Sequence, residues 1–466
     1  DFLNMHIFLS RLTSLYDIIL YSTERRIIRP MYRTDRIYIQ KSHELYEYLD
    51  DFAHKAKCLH NASLFRIRNT FTAYDKTNLT ANEKEVQDEL ALLKGQKSYY
   101  VLGYGVLQKL MRATSNPDFF SGLPMQTAQH IIRQTCGDFK HWLSAIKKYK
   151  KDPTGFTGKP KMPKYCRKET STYLFTNQDA VIYDGKLKLP LTKIRIPVRR
   201  RHGKLMEVKV KPVSGGYELL LTYQMKDSKV RSGMHFAAVD FGVDNTMAVV
   251  SDTGKSILFK GRFIKSVNQY FMKEKAERIR ILSKGKETTE RVWSKYLDQL
   301  SAYRTNYIRD CFHKMSKKLL LWCQQNDIGY LVLGSNTFWK QNVNIGKVNN
   351  QNFVSIPFEM LKKMIELKAI EYGVTVIKSE ESYTSKASFL DNDEIPVYEE
   401  GVNIKYRFSG KRIKRGMYQS SNGTCINADI NGAANILRKA GYDTSKVELT
   451  NLLNPKIIRF KDLNCK

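Results

Sequence analysis

Acidic residues are scarce beside basic ones: 46 Asp and Glu against 78 Lys and Arg in 466 residues, a formal net charge of +32. Such a chain resists self-association and favours polyanions, nucleic acid ahead of an anionic membrane surface. Cysteine is also sparse. Its seven copies (Cys58, Cys136, Cys166, Cys311, Cys323, Cys425 and Cys465) are odd in number and form no Cys-x-x-Cys pair. That argues against a disulfide framework, fits a reducing compartment and leaves no close ligand pair for a cysteine zinc site. The nine histidines show no His-x-x-x-His spacing, so they do not suggest a metal site either. No segment approaches the ~18 consecutive apolar residues of a membrane span. The N-terminal stretch from Met5, broken by Arg11 and Asp17, makes a poor signal peptide. What is present is core material: 42% hydrophobic and 11% aromatic residues, which excludes wholesale disorder. The length suits roughly three domains. The expectation is a soluble, intracellular, nucleic-acid-handling protein.

Along the chain, Arg36–Gln40 alternates like a strand. A helical pattern starts at Ser42, read as an N-cap, and carries Leu45, Tyr48, Leu49, Phe52 and Ala56 at helical spacing. Further helical stretches, Glu83–Leu93 and Gln126–Lys148, make 42–150 read as all-helical. Composition then shifts to a Pro-, Gly- and Lys-rich run holding Lys147, Lys148, Lys150, Lys151, Lys159 and Lys161. It reads as a linker or extended arm. Tyr149, Phe156 and Tyr165 interleave with the lysines, which turns a merely solvated run toward contact with phosphates and bases. Residues 172–226 read as short strands with turns at Asp184-Gly185 and Gly215-Gly216. They suggest a small β-barrel or sandwich with a basic turn at Arg199, Arg200 and Arg201. From Phe236 the order is hairpin, third strand, long charged helical stretch, strand, helix, strand, helix. This is the element order of a ribonuclease H-like fold, one of several α/β possibilities by elements alone.

Two carboxylates sharpen that reading. Asp240 ends a hydrophobic strand in Ala237-Ala-Val-Asp-Phe-Gly, and Asp429 stands at a helix start in Asn427-Ala-Asp-Ile-Asn-Gly. Singly, they read as a turn residue and a helix cap. Together, on the first strand and last helix of this order, they suit phosphodiester hydrolysis. That reaction needs an activated water and a stabilised leaving oxygen, which two Mg²⁺ ions (or Mn²⁺) can supply. Such hard cations take carboxylate oxygens, and at least three acids would be needed.

Several longer stretches carry a resemblance. They are Arg309-Asp-Cys-Phe-His-Lys-Met-Ser, Trp339-Lys-Gln, Asn349-Asn-Gln-Asn-Phe-Val-Ser-Ile-Pro-Phe, Tyr383-Thr-Ser-Lys and Ala428-Asp-Ile-Asn-Gly-Ala-Ala-Asn-Ile. With them the chain, from about Arg36 to Arg438, resembles the TnpB family, RNA-guided nucleases of insertion sequences related to Fanzor and to compact type V CRISPR effectors. The resemblance implies a multidomain α+β protein. Its parts would be an N-terminal leader (1–33), a first wedge strand (34–41), a helical recognition domain (42–158) and a β-barrel wedge domain (159–232). A RuvC nuclease domain (233–440) would follow, then a tail (441–466).

Two departures from the family matter. Where the family usually has a glutamate, at the end of the fourth RuvC strand, this chain has Gly334. Either the nuclease is dead or the acid has moved, as it looks to have done in Fanzor, to just before Tyr-Thr-Ser. Ser379-Glu-Glu-Ser-Tyr offers Glu380 and Glu381 there. Neighbours on a strand face opposite sides, so one of them is expected to reach the site, and the resemblance to the rearranged relatives, by their spacing to the matching tyrosine, implies Glu381 over Glu380. The family's zinc ribbon would fall in 384–427, where Lys386–Asp391 and Tyr418–Gly423 carry no cysteine. The expectation is an insertion without zinc, held by hydrogen bonds and packing, with Cys425 a packing thiol. Asp244 could approach the metals but reads rather as a turn residue, and His313, a conceivable general base, reads rather as a packing or hydrogen-bonding side chain. Thr176 and Asn177 occupy roughly where the family approaches the duplex motif beside its target, or else form a strand-to-turn corner.

The reading is an RNA-guided endodeoxyribonuclease using Asp240, Glu381 and Asp429 as metal-holding catalytic residues. Its partners would be a guide RNA and double-stranded DNA with a flanking motif, with no membrane, in a prokaryotic cytoplasm. The alternatives are a nuclease-inactive guided repressor, which Gly334 favours, and a structure-selective resolvase without a guide.

Overall fold

The computed structural model describes residues 32–93, 99–198, 203–225, 233–285, 292–335, 356–397, 406–445 and 447–463. The chain is mixed α+β and divides into two compact units, Asp1–Asp227 and Ser228–Lys466. Arg199, Arg200 and Arg201 lie outside the described residues, as does most of the expected leader.

In the first unit, β1 (Tyr32–Gln40) is followed by α1 (Tyr46–Ala73), α2 (Ala81–Ala91), α3 (Tyr104–Ala113) and α4 (Met125–Lys151). Strands β2 (Tyr173–Thr176), β3 (Val181–Tyr183), β4 (Lys186–Lys188), β5 (Arg195–Pro197), β6 (Gly203–Val213) and β7 (Gly216–Met225) come next. They form a four-stranded antiparallel sheet, β1-β7-β6-β2, and a three-stranded one, β3-β4-β5. β1 pairs with β7 from Tyr32↔Gln224 to Gln40↔Gly216, so the helical segment is inserted between two neighbouring strands. Leu49, Phe52, Ala53, Ala56 and Leu59 of α1 form a buried stripe that packs in one core with Ile132 and Phe139 of α4 and Phe175, Val208 and Leu221 of the sheet.

Local chemistry corrects two expectations here. Ser42 does not cap α1: the helix starts at Tyr46, and the His43 ring nitrogen accepts the Leu45 amide at 3.0 Å. The side-chain cap is instead on α2, where Thr80 and Glu83 make a reciprocal capping box. The lysine run is not all linker. α4 continues through Lys151, so Lys147, Lys148, Lys150 and Lys151 occupy its end, where cations suit the helix dipole.

In the second unit, β8 (His235–Asp240), β9 (Asn245–Ser251) and β10 (Ser256–Lys260) precede α5 (Arg262–Leu282) and α6 (Lys295–Gln325). Then come β11 (Ile328–Gly334), α7 (Phe358–Tyr372) and β12 (Thr375–Ser379). A three-stranded sheet of β13 (Lys411–Lys414), β14 (Met417–Gln419) and β15 (Cys425–Asn427) leads into α8 (Ala428–Lys439), α9 (Leu449–Leu453) and β16 (Lys456–Ile458). The main sheet runs β12-β11-β8-β9-β10-β16. β8, β9 and β10 are antiparallel neighbours, while β11 and β12 add in parallel beside β8. This is the ribonuclease H-like arrangement that the element order suggests. The sixth strand, β16, pairs parallel to β10 and comes from the segment read as a tail.

Period-two alternation sorts the sheet's side chains. Ala237, Val239, Met247, Val249, Leu331 and Leu333 join the core with α6 and α7. On the opposite face, Ala248 and Val250 pack with Ile430, Ala433 and Ala434 of α8, and Ala238 and Val332 pack with its Ile436 and Leu437. Asp240 and Gly334 share the parity of Ala238 and Val332, so they belong to the α8 face, where the strands end.

Candidate active site

A cavity of about 1120 Å³ opens at those strand ends, lined among others by Asp240, Asp244, Asn245, Lys265, Glu381, Arg412, Arg415 and Asp429. Tertiary structure therefore brings together the three carboxylates that the sequence separates by up to 189 residues. Asp240 reaches the cavity from the end of β8. Its carboxylate lies against α8, where a Cβ at Gly432 would come within 2.8 Å of its Oδ2. Burial first, then the charges of Asp429 and Glu381, hold the Asp240 carboxyl well above the usual carboxylate range.

Asp429 arrives from the first turn of α8. The cap there is not Asp429 itself but Asn427, whose side-chain oxygen accepts the amides of Asp429 and Ile430. That leaves the Asp429 carboxylate free to face outward. Asn245 donates to its Oδ2 at 2.6 Å, and the Asn245 oxygen accepts from Lys260 at 2.9 Å. Lys260 thereby fixes which end of the Asn245 amide meets Asp429. Arg412 stands 3.7 Å from Asp429.

Glu381 follows the end of β12, which is in register with β11 through Gly334↔Ser379. Its carboxylate fills the space beside Gly334: a Cβ added there would fall on Glu381 Oε2, and would also meet Ile436 at 2.9 Å. Residue 334 thus cannot carry any side chain while Glu381 keeps this seat. Burial pushes the Glu381 carboxyl up, against a downward pull from the Lys362 ammonium. Lys362 is itself buried and sits 5.1 Å from the Phe241 ring centroid. Glu380 turns the other way. It pairs with Lys439 and accepts from the Ser382 hydroxyl. Against a burial that opposes ionisation, those partners keep its carboxyl below the usual range.

The donor set is all carboxylate, which suits a hard divalent cation. The like charges that raise Asp240 are what such a cation would relieve. Among the described residues no three His, Cys, Asp or Glu side chains are already gathered around one point as metal ligands. Asp244 also lines the cavity, but is ion-paired with Lys265 at 3.0 Å and Arg415 at 2.6 Å.

The remaining candidates lie elsewhere. His313 is exposed on α6 rather than packed, and Cys425 is exposed, which corrects its reading as a packing thiol. In the first unit, Thr176 ends β2, and the Asn177 amide donates to Met206 O at 3.1 Å, which makes a strand-to-turn corner. Lys147, Lys148, Lys150, Lys151, Lys159 and Lys161 are exposed. The rings among them do not all stand ready for bases: Tyr149 and Phe156 pack edge to face at 5.6 Å. Within 384–427, Asp391 accepts from the Ser421 amide and hydroxyl. Asp393 does the same for Ser409, and Tyr418 donates to Lys386 O at 2.7 Å.

Sequence reasoning missed Asn245, Lys260, Lys362, Arg412, Arg415 and Lys439. Their only signal was membership of a basic chain, which marks no position. Among the described residues no helix is long and apolar enough to cross a membrane.

Residues 219–339 match the OrfB_IS605 family, described as a probable transposase, and residues 358–436 match the Cas12f1-like TNB domain. A curated relative, the TnpB-like protein ORF457 of Acidianus two-tailed virus, is 29% identical over 216 residues, 45% of this chain and 42% of that protein. The match thus spans less than half the length of that relative. Similar solved structures include a Cas12f1–sgRNA–target DNA complex (TM-score 0.47, 14% identity, 84% of this chain and 82% of that one). Another is CasPhi-2 (Cas12j) bound to crRNA (TM-score 0.43, 9% identity, 88% and 98%). The chain is thus similar, stretch by stretch, to the OrfB_IS605 family, to the Cas12f1-like TNB domain and to a TnpB-like protein.

Proposed function

We propose that this protein is an RNA-guided DNA endonuclease whose cutting site is the cavity bearing Asp240, Glu381 and Asp429. The observation that carries the reading is the Glu381 carboxylate lying over Gly334. On this reading the third acid would come from β12's end, in place of the one that Gly334 lacks. A guide RNA would read sequence by pairing, while the protein would bind phosphates, heteroduplex shape and a short flanking motif. The net charge of +32 suits two polyanions at once.

Asp240, Glu381 and Asp429 would hold Mg²⁺, or Mn²⁺, through carboxylate oxygens. When bound, such ions supply an activated water and charge for the leaving oxygen. The chain's own groups do the rest. Asn245 orients Asp429. Arg412 and Arg415, now resting on Asp429 and Asp244, can turn to an incoming phosphate. The exposed lysines after Trp142 would take backbone phosphates, and Thr176 and Asn177 the flanking duplex.

The test is to purify the chain, sequence any RNA that comes with it, and supply matched duplex DNA with Mg²⁺. The expected result is guide-dependent cutting that Asp240→Ala, Glu381→Ala and Asp429→Ala each abolish while guided binding survives. No bound RNA would overturn the guided reading. Full cutting by Glu381→Ala would overturn the site, and guided binding without cutting by the unmodified chain would establish the repressor.

A further inference from the structure

We infer that Lys439 and Glu380 form a clasp that positions Glu381, so that α8 supplies one acid of the site directly and aims another. The inference rests on the proposed metal-holding role of the three carboxylates.

The two glutamates after β12 are chemically identical and adjacent, yet only Glu381 lines the cavity. Something must set which one enters. The chain leaves β12 at Ser379 and turns sharply, with Tyr383 in the left-handed region at φ 62°. A non-glycine residue holds that conformation only where its surroundings impose it. Lys439, in the last turn of α8 and with only 9% of its side chain exposed, supplies the constraint. Its ammonium donates to Ser382 O and to Pro396 O, each at 2.8 Å, and pairs with the Glu380 carboxylate. The ammonium is thus held by two carbonyl oxygens and one carboxylate charge. Glu380 in turn holds the Ser382 hydroxyl. Rotating the turn to exchange the two glutamates would strand a buried ammonium and break these bonds together. The same helix secures the following residues: Asn435 donates to Thr384 O at 2.9 Å and Ala387 O at 2.7 Å. Asp429 lies ten residues earlier on α8, so one rigid helix relates both acids.

Lys439 touches no reacting group and is a positioning residue. Its test therefore reads metal affinity and local order, not cutting alone. Mn²⁺ binding to the nucleic-acid-free full chain is followed by electron paramagnetic resonance for the unmodified protein, Lys439→Met, Glu381→Ala, the double variant and Asp240→Ala. Amide hydrogen exchange is read over 382–387. Lys439→Met should weaken Mn²⁺ binding by about 10-fold, the scale of outer-shell effects, and speed exchange across 382–387. In the double variant the losses should not multiply, because the clasp acts through Glu381. Glu380→Gln, a milder change, should shift both readouts the same way and serves if Lys439→Met does not fold. Unmodified Mn²⁺ affinity in both clasp variants, or losses that multiply, would overturn the clasp while leaving the metal site standing. Unmodified affinity in Asp240→Ala would overturn the metal site, and the positioning role with it.

Discussion

Two carboxylates, Glu83 of the first unit and Asp240 of the second, are treated in opposite ways. In the first, Glu83 is fully served: Lys76 at 2.6 Å, then Thr72 and the Thr80 amide, pull its carboxyl down to about 2. In the second, Asp240 is pushed up by burial and by two neighbouring acids. One carboxylate has every donor it can use and stabilises a helix start. The other is enclosed with like charges and few donors. A fold does not keep such an arrangement for stability; carboxylates crowded this way mark a site that expects a cation or a proton. The contrast extends to the cations. Arg66 of the first unit pairs with Glu89 inside its helical bundle, whereas Arg412 and Arg415 sit on acids of an open cavity.

The largest expected effect breaks the second half of that contrast. Asp240→Ala, or loss of either partner acid, should lower guided DNA cutting by at least ~100-fold, since changes one shell further out already cost about 10–100-fold. Single-turnover cutting of matched DNA measures it. Next is Gly334→Ala, a single methyl aimed at Glu381. If the seat is as tight as the geometry indicates, cutting falls by about 10-fold or more while the melting temperature changes little. Wild-type cutting by this variant would show that Glu381 has another seat.

Stability against pH sharpens the comparison further. Asp240 has its folded pKa above the unfolded value, so the folded state binds more protons and its contribution declines as pH rises through the window between the two. Asp240→Asn should therefore raise the melting temperature of the cation-free protein at neutral pH. Glu83 works in the other sense. Its contribution is present above the unfolded carboxylate pKa and is lost as pH falls toward about 2. Thr80→Ala, which removes one half of that capping box, should cost ~1 kcal/mol, read by chemical denaturation. The smallest effect is on the exposed run: Lys150→Ala with Lys151→Ala should reduce the salt slope of nucleic-acid binding by up to ~0.9 for each phosphate that the two lysines neutralise, measured by titration at several salt concentrations.

Much of the second unit was legible because its sheet is ruled by short-range alternation. The strands from Phe236 to Lys260, the strand near Tyr330 and the helix after Pro357 each carry their own apolar pattern, and that pattern marks which face meets α8. Asp240 and Asp429 stood out because each interrupts such a pattern at an element's end. Ser42 misled because a serine before an apolar stripe resembles a cap whether or not the backbone turns there; the helix starts at Tyr46 with no side-chain cap. The stretch from Lys147 to Lys151 misled because lysine-rich composition reads as linker, although lysine is a good helix former and favours a helix's last turn. β16 was invisible: three residues have no period of their own and become a strand only by pairing with β10.

By itself, the sequence determined the polyanion-seeking charge, the alternation that builds the central sheet and the two acids that end its elements. These follow from composition and from near neighbours in the chain. Only the tertiary structure decided how Glu381 is seated in the cavity, that Gly334 is the space it needs, and that Lys439 faces the turn carrying it. Those outcomes depend on atoms far apart in sequence competing for the same few ångströms, which no local pattern of residues encodes.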